Sequence, residues 1–541
     1  MKDISSTGSF IDFTLENYIY VDKTEYIPKL VKLKRVFISR PRRFGKSLTL
    51  DTIATLFETG VEPYFKGTWI YDKWTEPTYP VFRLSFLNLD NSSMDLFKKQ
   101  LNSKITEFAN KISVKGYVEK TEPEDSILSL LEKLEEETRQ IVILIDEYDY
   151  QLTSNINNDE LYKQFQQKIK RFYANIKDKF AIKFLGITGV TRLKDVESFS
   201  VGSDIRDITN SSAYSQMIGF TRDEIKKFYI DYLKLAASYE NNCSVDDVTD
   251  TQLESLLDRL AKNYDGYCFD EFYKKKVFST WSVNSFFQSI VENKFVFFDE
   301  YWYDNGGLPS ILVDYLKTHE LNIFEYLDKD KFLKVSSDDF KNPTALTTIN
   351  QNVLMCQTGY LTLRSDLKKS STVLLGIPNG EIYKALNRLL ANNIFKGKAD
   401  VTDDQGKNLL EEGTVDDIIN LFNRALNSVS YDNYPIVSES SVQNMLKLYL
   451  LGAHQEVLSE VHEAKGRADL IVNTDIRRIV FEFKYAQNES EAKTKLSEAV
   501  EQIKSRDYGN ILPKKHELLR IAAVFNADPK VRAFTENQIV P

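Results

Sequence analysis

Between Arg35 and Glu58 the chain reads as a short apolar strand, a basic turn and a helix, and the turn is Arg40-Pro41-Arg42-Arg43-Phe44-Gly45-Lys46-Ser47. Gly-Lys-Ser between a buried strand and a helix constrains the fold more than any other feature of this sequence. In that context backbone N–H groups and the helix N-terminus cradle phosphate oxygens. The usual spacing is G-x-x-x-x-G-K-[ST], and Arg40 stands where the first glycine is expected. With ATP as ligand, Lys46 would meet the β- and γ-phosphates and Ser47 would ligate Mg²⁺, while Arg43, Phe44, Gly45 and Leu48 complete the cradle. The competing reading is a basic loop that only caps a helix.

A second feature supports the nucleotide reading. Residues 141–145 (IVILI) are almost uniformly β-branched, as in a central parallel strand, and they run into Asp146-Glu147. Asp146 would hold Mg²⁺ through water, and Glu147 would orient or deprotonate the attacking water. Residues 80–87 and 181–188 read as further strands, with helical stretches between. The alternation predicts a doubly wound parallel sheet of the P-loop NTPase kind. The strand at 80–87, between Lys46 and Asp146, suits the ATPase branch that has an added central strand. Thr188, ending the last of these strands, is then placed to sense the γ-phosphate. Arg192 either contacts phosphate, in its own subunit or in a neighbour's within a homo-oligomer, or forms a surface ion pair.

The 541 residues allow three ordinary domains. From about Thr221 the pattern turns helical, opening on the capping box Thr221-x-x-Glu224, with a loop near 305–309. Residues 400–413 are polar and charged, like a linker. The expected domains are residues 1–215 (P-loop ATPase), 216–400 (helical lid or middle region) and 401–541. The net charge of -9 argues against a general nucleic-acid coat protein but leaves room for a local basic groove. Three cysteines without metal-like spacing favour a reducing, cytoplasmic setting. No apolar run approaches the length of a membrane span. His454 and His462 flank two glutamates, but their spacing does not suit zinc on one helical face, and they read with His319 and His516 as surface histidines.

Near the C-terminus, residues 467–472 and 478–485 read as two strands joined by a polar turn. The two-residue period puts Glu482 and Lys484 on one face and Phe481 and Phe483 on the other. A hairpin brings Asp469 beside Glu482, making a hard-oxygen site for Mg²⁺ or Mn²⁺ with Lys484 orienting water. The alternative is a half-exposed hairpin with solvated charges.

Tyr20-Val21-Asp22-Lys23-Thr24, the Arg-Pro-Arg-Arg-Phe-Gly-Lys-Ser loop and Asp146-Glu147-Tyr148-Asp149 closely resemble the AAA-ATPase-like proteins that carry a C-terminal PD-(D/E)xK nuclease domain. Tyr264-Asp265-Gly266-Tyr267 and Gly359-Tyr360-Leu361-Thr362 resemble further landmarks of the group, without suggesting a mechanism; Asp-Gly there reads as a tight turn. The resemblance implies an α/β restriction-endonuclease-like C-terminal domain with Asp469, Glu482 and Lys484 as its catalytic and metal-holding residues. Gln502 with Tyr508 resembles, at altered spacing, the Gln…Tyr element of exonuclease-like members, and Glu439 is the candidate further acid. The implied function is ATP hydrolysis coupled to metal-dependent cleavage of DNA or RNA. The alternatives are a nucleotide-dependent switch or scaffold whose C-terminal domain only binds, and an ATP-driven nucleic-acid remodelling motor.

Overall fold

A computed structural model describes residues 1–193, 204–302, 310–316, 323–343, 345–395, 404–453, 455–463, 466–508 and 517–541. The loop expected near 305–309 and three histidines, His319, His454 and His516, lie outside them. The chain forms two compact units, Met1–Leu321 with Asp330–Ile382, and Asn322–Lys329 with Tyr383–Pro541.

The first unit is built on a parallel five-stranded sheet in the order β2-β3-β4-β1-β5, where β1 is Arg35–Ser39, β2 Val81–Ser85, β3 Ile141–Asp146, β4 Ile182–Gly189 and β5 Arg206–Asp207. The insertion of β4 between β1 and β3 is the order expected of the added-strand ATPase branch. Ile141–Ile145 are all buried, because both faces of β3 are covered. Helix α1 (Lys46–Thr59) covers one face: its Phe57 stacks on Phe184, and Gly186 leaves room for Leu50 and Leu144. Phe82, registered with Ile143, points to the other face and meets Phe108 of helix Met94–Lys111 at 5.0 Å.

The same unit continues into helices that include α2 (Asp250–Tyr264) and α3 (Thr280–Asn293). The capping box is present: Thr221 accepts from the Glu224 N–H, and Glu224 accepts from that of Thr221. Reading this region as helical overlooks an antiparallel three-stranded sheet, β6 (Leu333–Ser336), β7 (Thr362–Leu363) and β8 (Thr372–Gly376), in the order β6-β8-β7. Strands of two to five residues leave too little alternation to detect.

The second unit holds a mixed sheet in the order β13-β12-β11-β10-β9: β9 Glu456–Glu463, β10 Gly466–Asn473, β11 Arg477–Ala486, β12 Glu517–Asn526 and β13 Ala533–Ile539. Strands β11 and β12 are parallel and the other pairs antiparallel. Three helices accompany it: α4 (Val415–Asn427), α5 (Glu439–Gly452) and α6 (Glu489–Arg506). Phe481 and Phe483 stack at 5.5 Å and pack with Phe422 of α4 and Phe534. On the opposite face Val480 and Ala522 pack under Ala499 and Ile503 of α6. The expected linker at 400–413 contains a helix, Asp404–Glu412, whose Leu410 is buried; among so many polar residues that single apolar contact was not a visible signal.

Candidate functional site

In the phosphate loop the left-handed backbone falls at Arg43 (φ 69°) and Gly45 (φ 97°). Arg40 is not among the positive-φ residues, which is why an arginine is tolerated at the position of the first glycine. Lys46 is buried, and its ammonium donates to the carbonyl oxygens of Arg40 (3.0 Å) and Pro41 (2.9 Å). Burial pushes its pKa down, against the nearby Asp146 and Glu147, which pull it up. Asp146 leaves β3 between two hydroxyls. Ser47 Oγ donates to its Oδ2 at 2.5 Å, and Thr188 Oγ1, on adjacent β4, donates to its Oδ1. Glu147 (φ 49°) lines the same cavity as Lys46, and burial raises its pKa, with Asp146 adding to the shift.

Lys46, Ser47 and Glu147 share one cavity of about 650 Å³. Arg42 to Thr49 and Glu147 are in its lining, together with the apolar Ile19, Val21, Ile27, Met217 and Ile218, a mixture of a kind that takes phosphates and a flat aromatic base. Of the sequence candidates, Arg43, Phe44, Gly45, Lys46, Ser47, Leu48 and Glu147 line this cavity, and Asp146 and Thr188 join it through Ser47. Arg192 does not. Its guanidinium pairs with Asp207 of β5 at 2.5 Å, so the ion-pair alternative describes this arginine.

Other contacts fix the loop from residues that periodicity could not single out. Arg40 is buried, donates to the carbonyls of Ser39 and Thr209, and lies over the Phe269 ring at 4.0 Å; burial pushes its pKa down to about 9, so it stays charged at neutral pH. Arg43 lies over the indole of Trp281 at 4.0 Å. Its carbonyl accepts from Thr280 Oγ1 at 3.0 Å and from the Trp281 N–H at 3.3 Å, both in the first turn of α3. The Phe44 ring is buried against Tyr267 and Phe269, so Phe44 borders the cavity from a packed position. Asp149 is buried and accepts from the backbone of Val190 and Thr191 and from Thr191 Oγ1, fixing the chain that leaves β4.

In the second unit Asp469 immediately precedes the first residue of β10 that is paired with β11: Leu470 registers with Phe481, which places Asp469 across from Glu482. Its carboxylate accepts from the Phe483 N–H at 2.8 Å. Glu482 is fully buried; one oxygen accepts from Lys484 at 2.8 Å and the other, Oε2, is buried without a hydrogen-bond partner. Burial first, then the charge of Asp469, raise the Glu482 pKa to about 7, and burial also raises that of Asp469. The Lys484 ammonium further meets the Phe483 carbonyl at 3.1 Å and Glu439 at 3.5 Å. The charges are therefore inward and partnered, unlike the half-exposed hairpin considered above. Gln502 and Arg506 of α6 both donate to the buried Tyr508 hydroxyl, at 3.4 and 2.8 Å, so Gln502 meets Tyr508 and not a carboxylate. Arg506, which the sequence reading passed over, feels the charges of Glu482 and Asp469.

A buried carboxylate oxygen without a donor fits a hard divalent cation, and so does an all-oxygen donor set. Among the described residues no group of three or more Asp, Glu, His or Cys is arranged to hold a metal, so this fit rests on the Asp469–Glu482 pair.

Strand order, phosphate loop and Asp146 define the first unit as a P-loop α/β ATPase-like fold, and the inward carboxylates stand on the sheet of a nuclease-like unit. Residues 5–199 match the family model of predicted AAA-ATPases and residues 437–534 that of the PD-(D/E)XK nuclease superfamily. The chain thus carries an AAA-ATPase-like domain and, C-terminal to it, a PD-(D/E)XK nuclease-superfamily domain. It is 26% identical over 531 residues to a protein of Azotobacter chroococcum mcd 1 described as lying in the vnfD 5′ region, covering 95% of this chain and 94% of that one. The crystal structure of Cdc6p from Pyrobaculum aerophilum aligns with 69% of this chain and 96% of its own at 12% identity; its TM-score of 0.24 is too low to support a shared arrangement. Among the described residues no helix is long and apolar enough to cross a membrane.

Proposed function

We propose that the chain binds and hydrolyses ATP with Mg²⁺ in its first unit and cleaves nucleic-acid phosphodiesters with Mg²⁺ or Mn²⁺ in its second. One observation carries the first half: Asp146 joins Ser47 of the phosphate loop to Thr188 at the end of β4, beside Lys46 and Glu147. Ser47 and Asp146 would hold the Mg²⁺ of the nucleotide, directly and through water. Lys46 would exchange the Arg40 and Pro41 carbonyls for phosphate oxygens. Glu147 takes the proton of the attacking water, and Thr188 reports the γ-phosphate by its bond to Asp146.

In the second unit Asp469 and the unpartnered Glu482 oxygen would hold the metal. When bound, the ion would supply positive charge to the scissile phosphate and to the attacking water. Lys484 holds Glu482 in place and offers its ammonium to developing negative charge, and Gln502 steadies Tyr508 beside the site. Nucleic acid, DNA or RNA, is the proposed substrate. The boundaries 1–215, 216–400 and 401–541, a cytoplasmic setting and assembly into homo-oligomers stand with this reading as proposals.

The test measures phosphate release and cleavage of single- and double-stranded DNA and RNA with Mn²⁺ and ATP. Glu147→Gln is expected to bind ATP but turn it over about 100-fold more slowly. Glu482→Gln is expected to lose cleavage and keep ATP turnover. A wild type that turns over ATP yet cuts no nucleic acid would favour the switch or the remodelling motor and sink the nuclease half.

A further inference from the structure

We propose that Arg42 is the catalytic arginine of ATP hydrolysis, reaching the γ-phosphate from within the phosphate loop of its own chain. The inference rests on the ATPase reading above.

Phosphoryl transfer needs positive charge beyond Lys46 and Mg²⁺, because the equatorial oxygens and the leaving oxygen of the transferred group stay negative while bonding is loosest. Four arginines stand near enough to be considered. Arg40 is buried, committed to two carbonyls and stacked on Phe269. Arg43 is laid over Trp281. Arg192 is paired with Asp207. Arg42 and Arg43 both line the cavity with Lys46, Ser47 and Glu147, but only the Arg42 guanidinium is uncommitted there, with no hydrogen bond or ion pair among the described residues.

Its position in the loop suits the role. The two preceding carbonyls, of Arg40 and Pro41, fold back onto the Lys46 ammonium, so the Arg42 side chain leaves the backbone beside the group that would grip the β- and γ-phosphates. Its charge is felt at both Lys46 and Glu147. The backbone beneath it is fixed, since the Trp302 indole N–H donates to the Arg42 carbonyl at 3.5 Å and Pro41 packs against Gly359. An unpaired guanidinium on a fixed stem, lining the same cavity as the lysine and the acid, is free to bond phosphate oxygens.

In the step itself, the oxygen of a water molecule bonds to the γ-phosphorus as the bond from that phosphorus to the bridging oxygen breaks. ADP keeps the bridging electron pair, the water proton passes to Glu147, and inorganic phosphate leaves. Arg42 bonds the oxygens that gain charge along this path. Because the arginine belongs to the same loop as Lys46, it serves the nucleotide of its own chain.

The experiment compares wild type, Arg42→Ala and Arg42→Lys as full chains, with three readouts: the dissociation constant of a fluorescent ATP analogue, steady-state phosphate release, and retention of ADP with aluminium fluoride as a transition-state mimic. Both variants are expected to melt with the wild type, to bind the ATP analogue within about five-fold of it, to turn over about 10²–10³-fold more slowly, and to fail to retain ADP–aluminium fluoride. Mixing Arg42→Ala with Lys46→Ala is expected to restore no activity, since an arginine acting within its own loop cannot serve a neighbour. Wild-type turnover by Arg42→Ala, unchanged retention of the mimic, or rescue on mixing would each overturn the assignment. A wild type that binds no ATP analogue would instead remove the ATPase reading, and the assignment with it.

Discussion

The ring of Phe44 meets that of Tyr267 edge-on at 4.7 Å, so the phosphate loop is seated on the Tyr264-Asp265-Gly266-Tyr267 turn. Arg40 on Phe269, Arg43 on Trp281 and Pro41 against Gly359 extend the same contact. In the sequence the Tyr-Asp-Gly-Tyr string had no mechanism; its structural work is to hold the loop.

Gly266 tests that seat. Its φ is 99°, and a methyl group there would lie 2.2 Å from the carbonyl oxygen of Pro378. Gly45 has φ 97° but open space around it. Gly45→Ala is therefore expected to cost about 1–2 kcal/mol of backbone strain, and Gly266→Ala clearly more because a clash with backbone is added. Urea unfolding of the two variants ranks them; equal midpoints would show that the Pro378 contact yields freely.

Asp149 organises the end of β4 by accepting from two backbone N–H groups and a hydroxyl. Asp149→Ala leaves those buried donors unpaired and is expected to destabilise the fold by roughly 3 kcal/mol or more. Denaturant midpoints check this, and a loss within about 0.5 kcal/mol of zero would mean that the loop finds other partners.

Glu381 supplies a pH dependence. Its oxygens accept from Ser282 Oγ at 2.7 Å and from the Trp302 N–H at 2.8 Å, and burial pushes its pKa up to about 8, with Glu300 and Asp299 adding to the rise. The folded state thus holds a proton that the unfolded chain releases near pH 4.3. Its contribution to stability is complete below that value and is lost as pH rises through about 8. Melting temperatures from pH 5 to 9 should fall more steeply for wild type than for Glu381→Gln; parallel curves would contradict the assignment.

How much of this was legible follows from where the signals sit. The strands of both sites carry their own patterns: IVILI ending in Asp146, and Glu482 alternating with phenylalanines. Strand β9 did not declare itself, because Glu456, Glu460 and Glu463 interrupt its apolar positions, and edge strand β13 leaves most of its residues at least partly exposed. The contacts of Trp281 with Arg43 and of Asp207 with Arg192 join distant segments, and no local period encodes them. The burial of Glu482 was likewise invisible, since it depends on the cover that α6 gives the sheet.

Metal addition tests the second unit without relying on catalysis. Mn²⁺ at about 100 times its dissociation constant should stabilise the protein by about 2.7 kcal/mol if it binds the folded state alone. Glu482→Gln and Asp469→Asn should each lose most of that shift. Equal shifts in wild type and both variants would place the metal elsewhere.

The most direct measurement is Mg²⁺-dependent phosphate release from ATP by wild type beside Lys46→Ala. Lys46 is the buried ammonium on which the phosphate loop closes. The expected result is turnover by the wild type and its loss, together with loss of ATP binding, in Lys46→Ala. Turnover in Lys46→Ala equal to that of the wild type would contradict the account.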